Sequence, residues 1–311
     1  MKILITGGAG FIGSNLADRL IESGHSVMVI DNFATGKKEN LSTNSNLTII
    51  EGSVADSIMV DSLFKQFVPD IVVHAAASYK DPNNWEEDAR TNTTGSAIIT
   101  QASLKYHVKR LIYFQTSLCY GLHPIEQPIT IDHPLRPVES SYAISKTAGE
   151  YYIALSGLDF ISFRLANAYG PRNLSGPLPT FYQRLAAGNP CFVMDTRRDF
   201  IFISDLIDIV IMAINGKGKK GFYHVSSGQD YSIEELYRNI LKALGRDPTE
   251  KVEIRERNPD DAFTILLDPS KTYQDFNWKI STPLEKGVSK AVEWYKKNNI
   301  QDTFTHLKNL K

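Results

Sequence analysis

Short apolar runs alternate along the chain with longer segments whose apolar residues recur at helical spacing. The runs are KILIT (2–6), SVMVID (26–31), LTIIEG (47–52), DIVVHAAA (70–77), RLIYFQT (110–116) and FISFRLA (160–166). Within each run the apolar residues are consecutive. That is the pattern of strands covered on both faces of a parallel sheet. Between them, residues 12–23, 57–67, 94–107 and 141–156 read as helices. This alternation predicts an α/β fold with a doubly wound parallel sheet of the Rossmann kind.

After residue 166 the pattern loosens. Pro171, Pro177, Pro179 and Pro190 mark loops, and helices are predicted at 179–187, 204–215, 232–243 and 284–298. This part reads as a smaller, mainly α-helical C-terminal lobe that holds a substrate. FYHVSSG (222–228) is expected to return to the sheet, so the parts interleave. One domain then takes residues 1–166 with about 200–226, and the lobe takes 167–199 and 227–311.

Composition narrows the function classes. The 311 residues suffice for about two domains. Formal net charge is −1 and the basic runs are short, which argues against a nucleic-acid partner. Cys119 and Cys191 alone make neither a disulfide framework nor a metal-ligand cluster, so no metal is expected and a reducing cytosol fits. No apolar run reaches the ~18 residues of a membrane span. The expectation is a soluble cytoplasmic protein with no membrane partner.

TGGAGFIG follows the first strand and opens the first helix, with Gly7, Gly10 and Gly13 spaced as GxxGxxG. In such a loop the first glycine permits a tight turn, the second lets a diphosphate approach the backbone, and the third allows close packing. The helix N-terminus adds free N–H groups and a positive dipole end. Asp31 ends the second strand, 18 residues after Gly13, where a carboxylate binds both hydroxyls of an adenosine ribose. It would repel a 2′-phosphate, so NAD is expected over NADP. The alternative is a structural turn with a surface aspartate.

SSYAISK places Tyr142 and Lys146 four apart on one helical face. A neighbouring ammonium favours the phenolate and is expected to lower the tyrosine pKa from about 10. Such a tyrosine can take a proton from a hydroxyl as hydride leaves the same carbon, and Lys146 can also bind a ribose. The alternative is an exposed helix pair: with 14 tyrosines in the chain, YxxxK also arises by chance.

Read in order, TGGAGFIGS, DNFATGKKENL, HAAA, TNTTGS, TSLCYG, YAISK, RLANAYGPRN and RDFIFISDL resemble the extended short-chain dehydrogenase/reductase superfamily. Within it the chain is similar to nucleotide-sugar epimerases and dehydratases, in particular to epimerases encoded in bacterial O-antigen loci. The resemblance covers nearly the whole chain. It implies that Phe11 and Ile12 lie on the diphosphate of NAD, and that Asp31, Asn32, Thr35 and Gly36 surround the adenosine ribose. It puts Ser53 and Val54 beside adenine, Ala75, Ala76 and Ala77 along the dinucleotide, and Asn92 on the nicotinamide side. Thr116, Tyr142 and Lys146 match the catalytic set. Asn167 and Arg198 match residues that hold the substrate diphosphate, and Asp261 is a further candidate substrate residue. Without the resemblance, Arg198 reads equally well as a surface ion pair with Asp199 or Asp205. Tyr79 and Lys80 are expected near the cofactor or the sugar.

Two departures bear on the nucleotide base. Asn258 stands where the family often has arginine, next to Arg257, and the turn in FVMDTRRDF is short and lacks glycine. The resemblance also implies a homodimer built on segments 94–107 and 141–156. Their candidate faces are Ile98, Ile99, Ala102 and Tyr106, and Ala148, Tyr151, Tyr152 and Leu155.

The 4,6-dehydratases of the family carry an acid pair directly after the catalytic threonine. Here those positions hold Ser117 and Leu118, a poor acid and none. The expected reaction is therefore C4 epimerisation of a UDP-hexose through a transient 4-keto sugar, for surface-polysaccharide synthesis. A 4-ketoreductase or another oxidoreductase of this fold is the first alternative, and a dinucleotide-sensing protein without catalysis the second.

Overall fold

The computed structural model describes residues 1–257, 261–301 and 303–304. All six apolar runs become strands: β1 (Lys2–Thr6), β2 (Ser26–Asp31), β3 (Leu47–Glu51), β4 (Ile71–His74), β5 (Arg110–Thr116) and β6 (Phe160–Leu165). A seventh, Gly221–Val225, pairs parallel with β6, as the FYHVSSG run predicts. The order across the sheet is Gly221–Val225, β6, β5, β4, β1, β2, β3, and every pairing is parallel.

In chain order the helices are α1 (Phe11–Glu22), α2 (Ser57–Phe67), α3 (Trp85–Asp88), α4 (Ser96–Lys105), α5 (Ser141–Leu155), α6 (Pro177–Ala186), α7 (Ile203–Ile214), α8 (Ile233–Leu244), α9 (Ser270–Phe276) and α10 (Leu284–Asn298). Alternate strand residues feed two cores. Ile3, Ile5, Val27, Val29, Val73 and Ile112 pack with Leu16 and Leu20 of α1 and Leu206 and Val210 of α7. Leu4, Met28, Ile30, Val72, Leu111 and Tyr113 pack on the other face with Phe64 of α2, Ile99 of α4 and Ile153 of α5. This is why the runs lack polar alternation.

The remainder is a helical lobe with short two-stranded pairs, Phe192–Met194 with Glu253–Arg255 and Arg197–Arg198 with Tyr231–Ser232. Helix α8 starts on a capping box: the Glu235 N–H donates to Ser232 Oγ, and the Ser232 N–H to Glu235 Oε2. Its buried stripe is Ile233, Leu236, Tyr237, Ile240 and Leu241. That stripe packs in one core with Leu284, Val288, Ala291 and Val292 of α10. Each aliphatic side chain so buried contributes roughly 1.5–3 kcal/mol. No helix among the described residues is long and apolar enough to cross a membrane.

Candidate active site

The strand order reverses between β1 and β4: from β1 the chain goes on to β2 on one side, and from β4 to β5 on the other. Ligands of open parallel sheets bind at such a crevice. A cleft of about 1860 Å³ opens at this point. Pockets for one small ligand typically run ~300–1,000 Å³, so this one has room for more than one.

At one end lies the glycine loop. Gly7 takes φ +66°, and a Cβ on it would meet the Ala76 nitrogen at 2.6 Å. The loop is thus pressed against the Ala75–Ala77 segment, which lines the cleft. A Cβ on Gly13 would meet Gly7 O at 2.4 Å. Gly10 caps α1 with no side-chain bond, and the first turn holds no acid. Phe11 and Ile12 line the cleft, so the positive helix end is left for an anion.

Asp31 is buried at the end of β2. Its Oδ2 accepts the Ala9 N–H at 2.8 Å and its Oδ1 the Phe33 N–H at 2.8 Å. A carboxylate has about four acceptor positions, so two remain for a pair of hydroxyls. Burial pushes the carboxyl up, while the N–H groups of Phe33 and Ala9 that it accepts hold it down. Asn32, Thr35, Ser53 and Val54 line the same wall.

Two expected cofactor residues do not line the cleft. Gly36 packs behind it, where a Cβ would meet Ala9 and Asp31 Oδ1 at 2.9–3.0 Å. Asn92 is fully buried. Its Oδ1 accepts the Ser78 N–H, and its Nδ2 donates to Ser78 O and Ser145 Oγ, at 2.9–3.0 Å. It ties the cleft wall to α5 and has no free face for a ligand.

The other end holds Thr116, Tyr142 and Lys146, all on the wall. Thr116 ends β5, and its Oγ1 accepts the Leu118 N–H at 3.2 Å, leaving the hydroxyl hydrogen to donate. Ser117 is buried and Leu118 packs against the core. Lys146 is 2% exposed. Burial pushes its pKa down to about 7, with the Glu150 carboxylate pulling the other way. Its ammonium lies 4.0 Å over the Tyr113 ring.

Tyr142 corrects the expectation of a lowered phenol. Its pKa is raised, by burial first and by Tyr79 and Asp88 in addition. Lys146, itself half neutral near pH 7, sits over Tyr113 and does not offset that burial. His74 is a neutral core histidine: it bonds Thr6 Oγ1 at 2.6 Å and Ser96 Oγ at 2.9 Å, and burial takes it down to about 3. Cys119 is buried among apolar side chains.

Lys146 yields one stability prediction. Its charged form is penalised in the fold and not in the unfolded chain. The penalty is complete below about pH 7 and fades as pH rises toward the unfolded value near 10.4. Lys146→Met is therefore expected to raise the melting temperature of NAD-free protein at about pH 6 by several degrees, with the gain shrinking toward about pH 10. A gain independent of pH would contradict this.

On the lobe side, Asn167 is exposed on the wall, and its Nδ2 donates to Asp199 O at 3.1 Å. Arg198 pairs with neither Asp199 nor Asp205 but with Asp261, at 2.6 Å, and both line the cleft. Arg198 Nη1 also donates to Arg197 O and Ala262 O. Of its five N–H donors, these bonds leave two for a ligand. Asn258 lies outside the described residues.

Sequence reading missed two groups on this wall. Asp88 and Gln115 line the cleft at 1% and 2% exposure, and among the described residues Asp88 Oδ2 and Gln115 Nε2 have no partner. Asp88 sits in NWEED, which reads as a solvated helix start. Gln115 carried one signal, its place beside Thr116 at a strand end.

The model of the NAD dependent epimerase/dehydratase family matches residues 3–226. The chain belongs to that family. It is 51% identical to the Bordetella bronchiseptica enzyme WbmH, solved in complex with NAD+, with a TM-score of 0.93 over 96% of this chain and 99% of that one. It is 30% identical to Thermotoga maritima UDP-glucose 4-epimerase, solved with UDP-glucose, with a TM-score of 0.90 over 96% and 100%. It is also 32% identical to the UDP-N-acetyl-alpha-D-glucosaminuronate decarboxylase of Bacillus cytotoxicus, over 95% of this chain and 98% of that protein. The chain is thus an NAD-binding enzyme of this family that modifies nucleotide sugars. The residues fit the cofactor: Gly7 and Gly13 keep the loop tight, α1 offers a bare N-terminus, and Asp31 keeps two acceptor positions free.

Proposed function

We propose that the protein is an NAD-dependent epimerase acting at C4 of a UDP-hexose, in surface-polysaccharide synthesis in the cytoplasm. The observation that carries this reading is one cleft lined by Thr116, Tyr142 and Lys146, with only Ser117 and Leu118 directly after Thr116. In this reading residues 1–166 and about 200–226 hold the cofactor, and 167–199 with 227–311 hold the nucleotide sugar.

Gly7, Gly10, Phe11, Ile12 and Gly13 would hold the diphosphate of NAD, Asp31 and its neighbours the adenosine, and Tyr142 and Lys146 the nicotinamide ribose. When bound, NAD supplies a positively charged ring that accepts a hydride from the sugar carbon and returns it. Thr116 donates a hydrogen bond to the C4 oxygen. Tyr142 takes the proton of that hydroxyl and later gives it back. Lys146 in its ammonium form favours the phenolate that Tyr142 must become. Asn167 and Arg198 receive the substrate diphosphate, and Asp261 holds the guanidinium in place. Leu118 and Ser117 offer no acid to expel a hydroxyl, which favours epimerisation over dehydration. Incubation with a panel of UDP-, dTDP-, GDP- and CDP-hexoses, followed by product analysis, tests this. An epimer of a UDP-hexose is expected, and a product one water lighter would overturn it.

Asp31 gives a second expectation. NAD should bind at least about tenfold tighter than NADP, or ~1.4 kcal/mol. Titration of NAD-free protein measures this, and equal affinities would count against the assigned ribose site.

Assembly gives a third. Tyr151, Tyr152 and Leu155 of α5 are 58%, 48% and 81% exposed and flank Ala148 on one apolar face. Helix α4 contributes less than expected, because Ile99 and Ala102 are buried in their own core. This exposed apolar face supports a homodimer in which a second copy covers α5. Light scattering at micromolar concentration should report a dimer, and Leu155→Glu should shift it to monomer. A monomeric wild-type protein contradicts this.

A further inference from the structure

Beyond the last helix, Thr303 and Phe304 pack back onto the molecule. The packing of α10 on α8 is already complete, with Leu284, Val288, Ala291, Val292 and Tyr295 buried. Phe304 nonetheless pairs with a loop of the cleft wall. The Phe304 N–H donates to Leu174 O at 3.0 Å, and Phe304 O accepts the Gly176 N–H at 3.0 Å. The Thr303 hydroxyl bonds Gln183 of α6. Ser175 and Gly176, between those anchors, line the cleft.

This clamp delivers one ring to one place. The Phe304 ring lies 5.9 Å from that of Tyr79, and Tyr79 lies 6.2 Å from Tyr142. The Lys80 ammonium sits 5.4 Å over the outer ring. Tyr79 and Tyr142 line the cleft, and Phe304 backs Tyr79. Aromatic contacts at these separations are attractive and directional, so each ring limits the rotation of the next.

We propose that Phe304 is a positioning residue for the sugar: it holds Tyr79 against Tyr142 and so fixes the face and hydroxyl that Tyr79 turns toward the bound hexose. Burial pushes the Tyr79 phenol up to about 12, so at neutral pH its hydroxyl keeps a proton to donate to a sugar oxygen. Without Phe304 the Tyr79 ring gains freedom, and the hexose loses orientation relative to Tyr142. The adenosine end of the cleft, at the glycine loop and Asp31, has no part in this contact.

The inference rests on the epimerase reading, and the test separates the two. Phe304→Ala and Phe304→Tyr are compared with wild type for binding of NAD, UDP, UDP-glucose and UDP-N-acetylglucosamine by calorimetry, and for turnover of both sugars. Phe304→Ala is expected to bind NAD and UDP as wild type does. It should lose about three- to tenfold of the extra affinity that the hexose adds to UDP, and to lose kcat by roughly tenfold. Phe304→Tyr, which keeps the ring, should restore both. Wild-type affinity and turnover in Phe304→Ala would overturn the inference while leaving the epimerase reading standing. So would an equal loss of NAD, UDP and sugar binding, the mark of a purely structural role. A wild-type protein that binds UDP but turns over no hexose overturns both.

Discussion

Tyr142→Phe is expected to lower turnover by roughly 10²–10⁴-fold, the range of general acid–base contributions, while the fold stays as in wild type and NAD affinity falls far less than turnover, because Lys146, the diphosphate loop and Asp31 still hold the cofactor. The substitution removes one oxygen. No side chain of the core depends on it, and the ring keeps its contact with Tyr79. The phenol of the ligand-free protein is held protonated by burial and by the neighbours Tyr79 and Asp88. The bound cofactor and an ionised Lys146 must therefore tip it toward phenolate. The loss in rate should persist at every pH, because the oxygen that exchanges the proton is gone. Turnover with melting temperature and NAD titration alongside checks this. A near wild-type rate would place the chemistry elsewhere.

Gly13→Ala is expected to cost stability and cofactor together. In the interior of a helix, alanine is normally better than glycine by up to ~1 kcal/mol. Here the added Cβ would sit 2.4 Å from Gly7 O and 2.6 Å from Gly8 Cα, both backbone. No rotamer relieves that, so α1 must shift off the loop. Overpacking of this kind costs typically 1–3 kcal/mol. The shift also moves the N–H groups of the first turn away from the diphosphate. NAD affinity should fall by tenfold or more, which is ~1.4 kcal/mol or above. A variant that melts and binds NAD like wild type would show that the loop tolerates a wider approach than the geometry allows.

The sheet was readable from the chain because its strands are covered on both faces. Unbroken, β-branched or aromatic runs such as KILIT and RLIYF, too short for helices, fit that role. The glycine loop and Asp31 were readable because their chemistry is local in sequence. What escaped depends on contacts between distant segments. Read as a surface ion pair, Arg198 had two neighbouring candidate partners, Asp199 and Asp205, and the fold pairs it with Asp261 instead. Spacing put Lys146 beside Tyr142. Burial by segments from elsewhere then raised Tyr142, took Lys146 down to about 7 and set it over Tyr113. Asn92 looked like a cofactor contact, and its side chain is wholly spent between Ser78 and Ser145. The turn from Ala89 to Gly95 widens to π-helical form just before α4, a feature with no composition signal. The two- and three-residue strands of the lobe exist only through partners far along the chain.

The most direct measurement of the central claim follows the hydrogen at C4. UDP-glucose carrying deuterium at C4 is incubated with the enzyme, and the recovered hexoses are read by NMR and mass spectrometry. A hydride that leaves the sugar and returns to its other face keeps its label. The account predicts UDP-galactose with deuterium fully retained at C4, no loss of water and no net reduced cofactor. Deuterium lost to solvent, a dehydrated sugar, or accumulation of reduced cofactor in proportion to sugar consumed would contradict it.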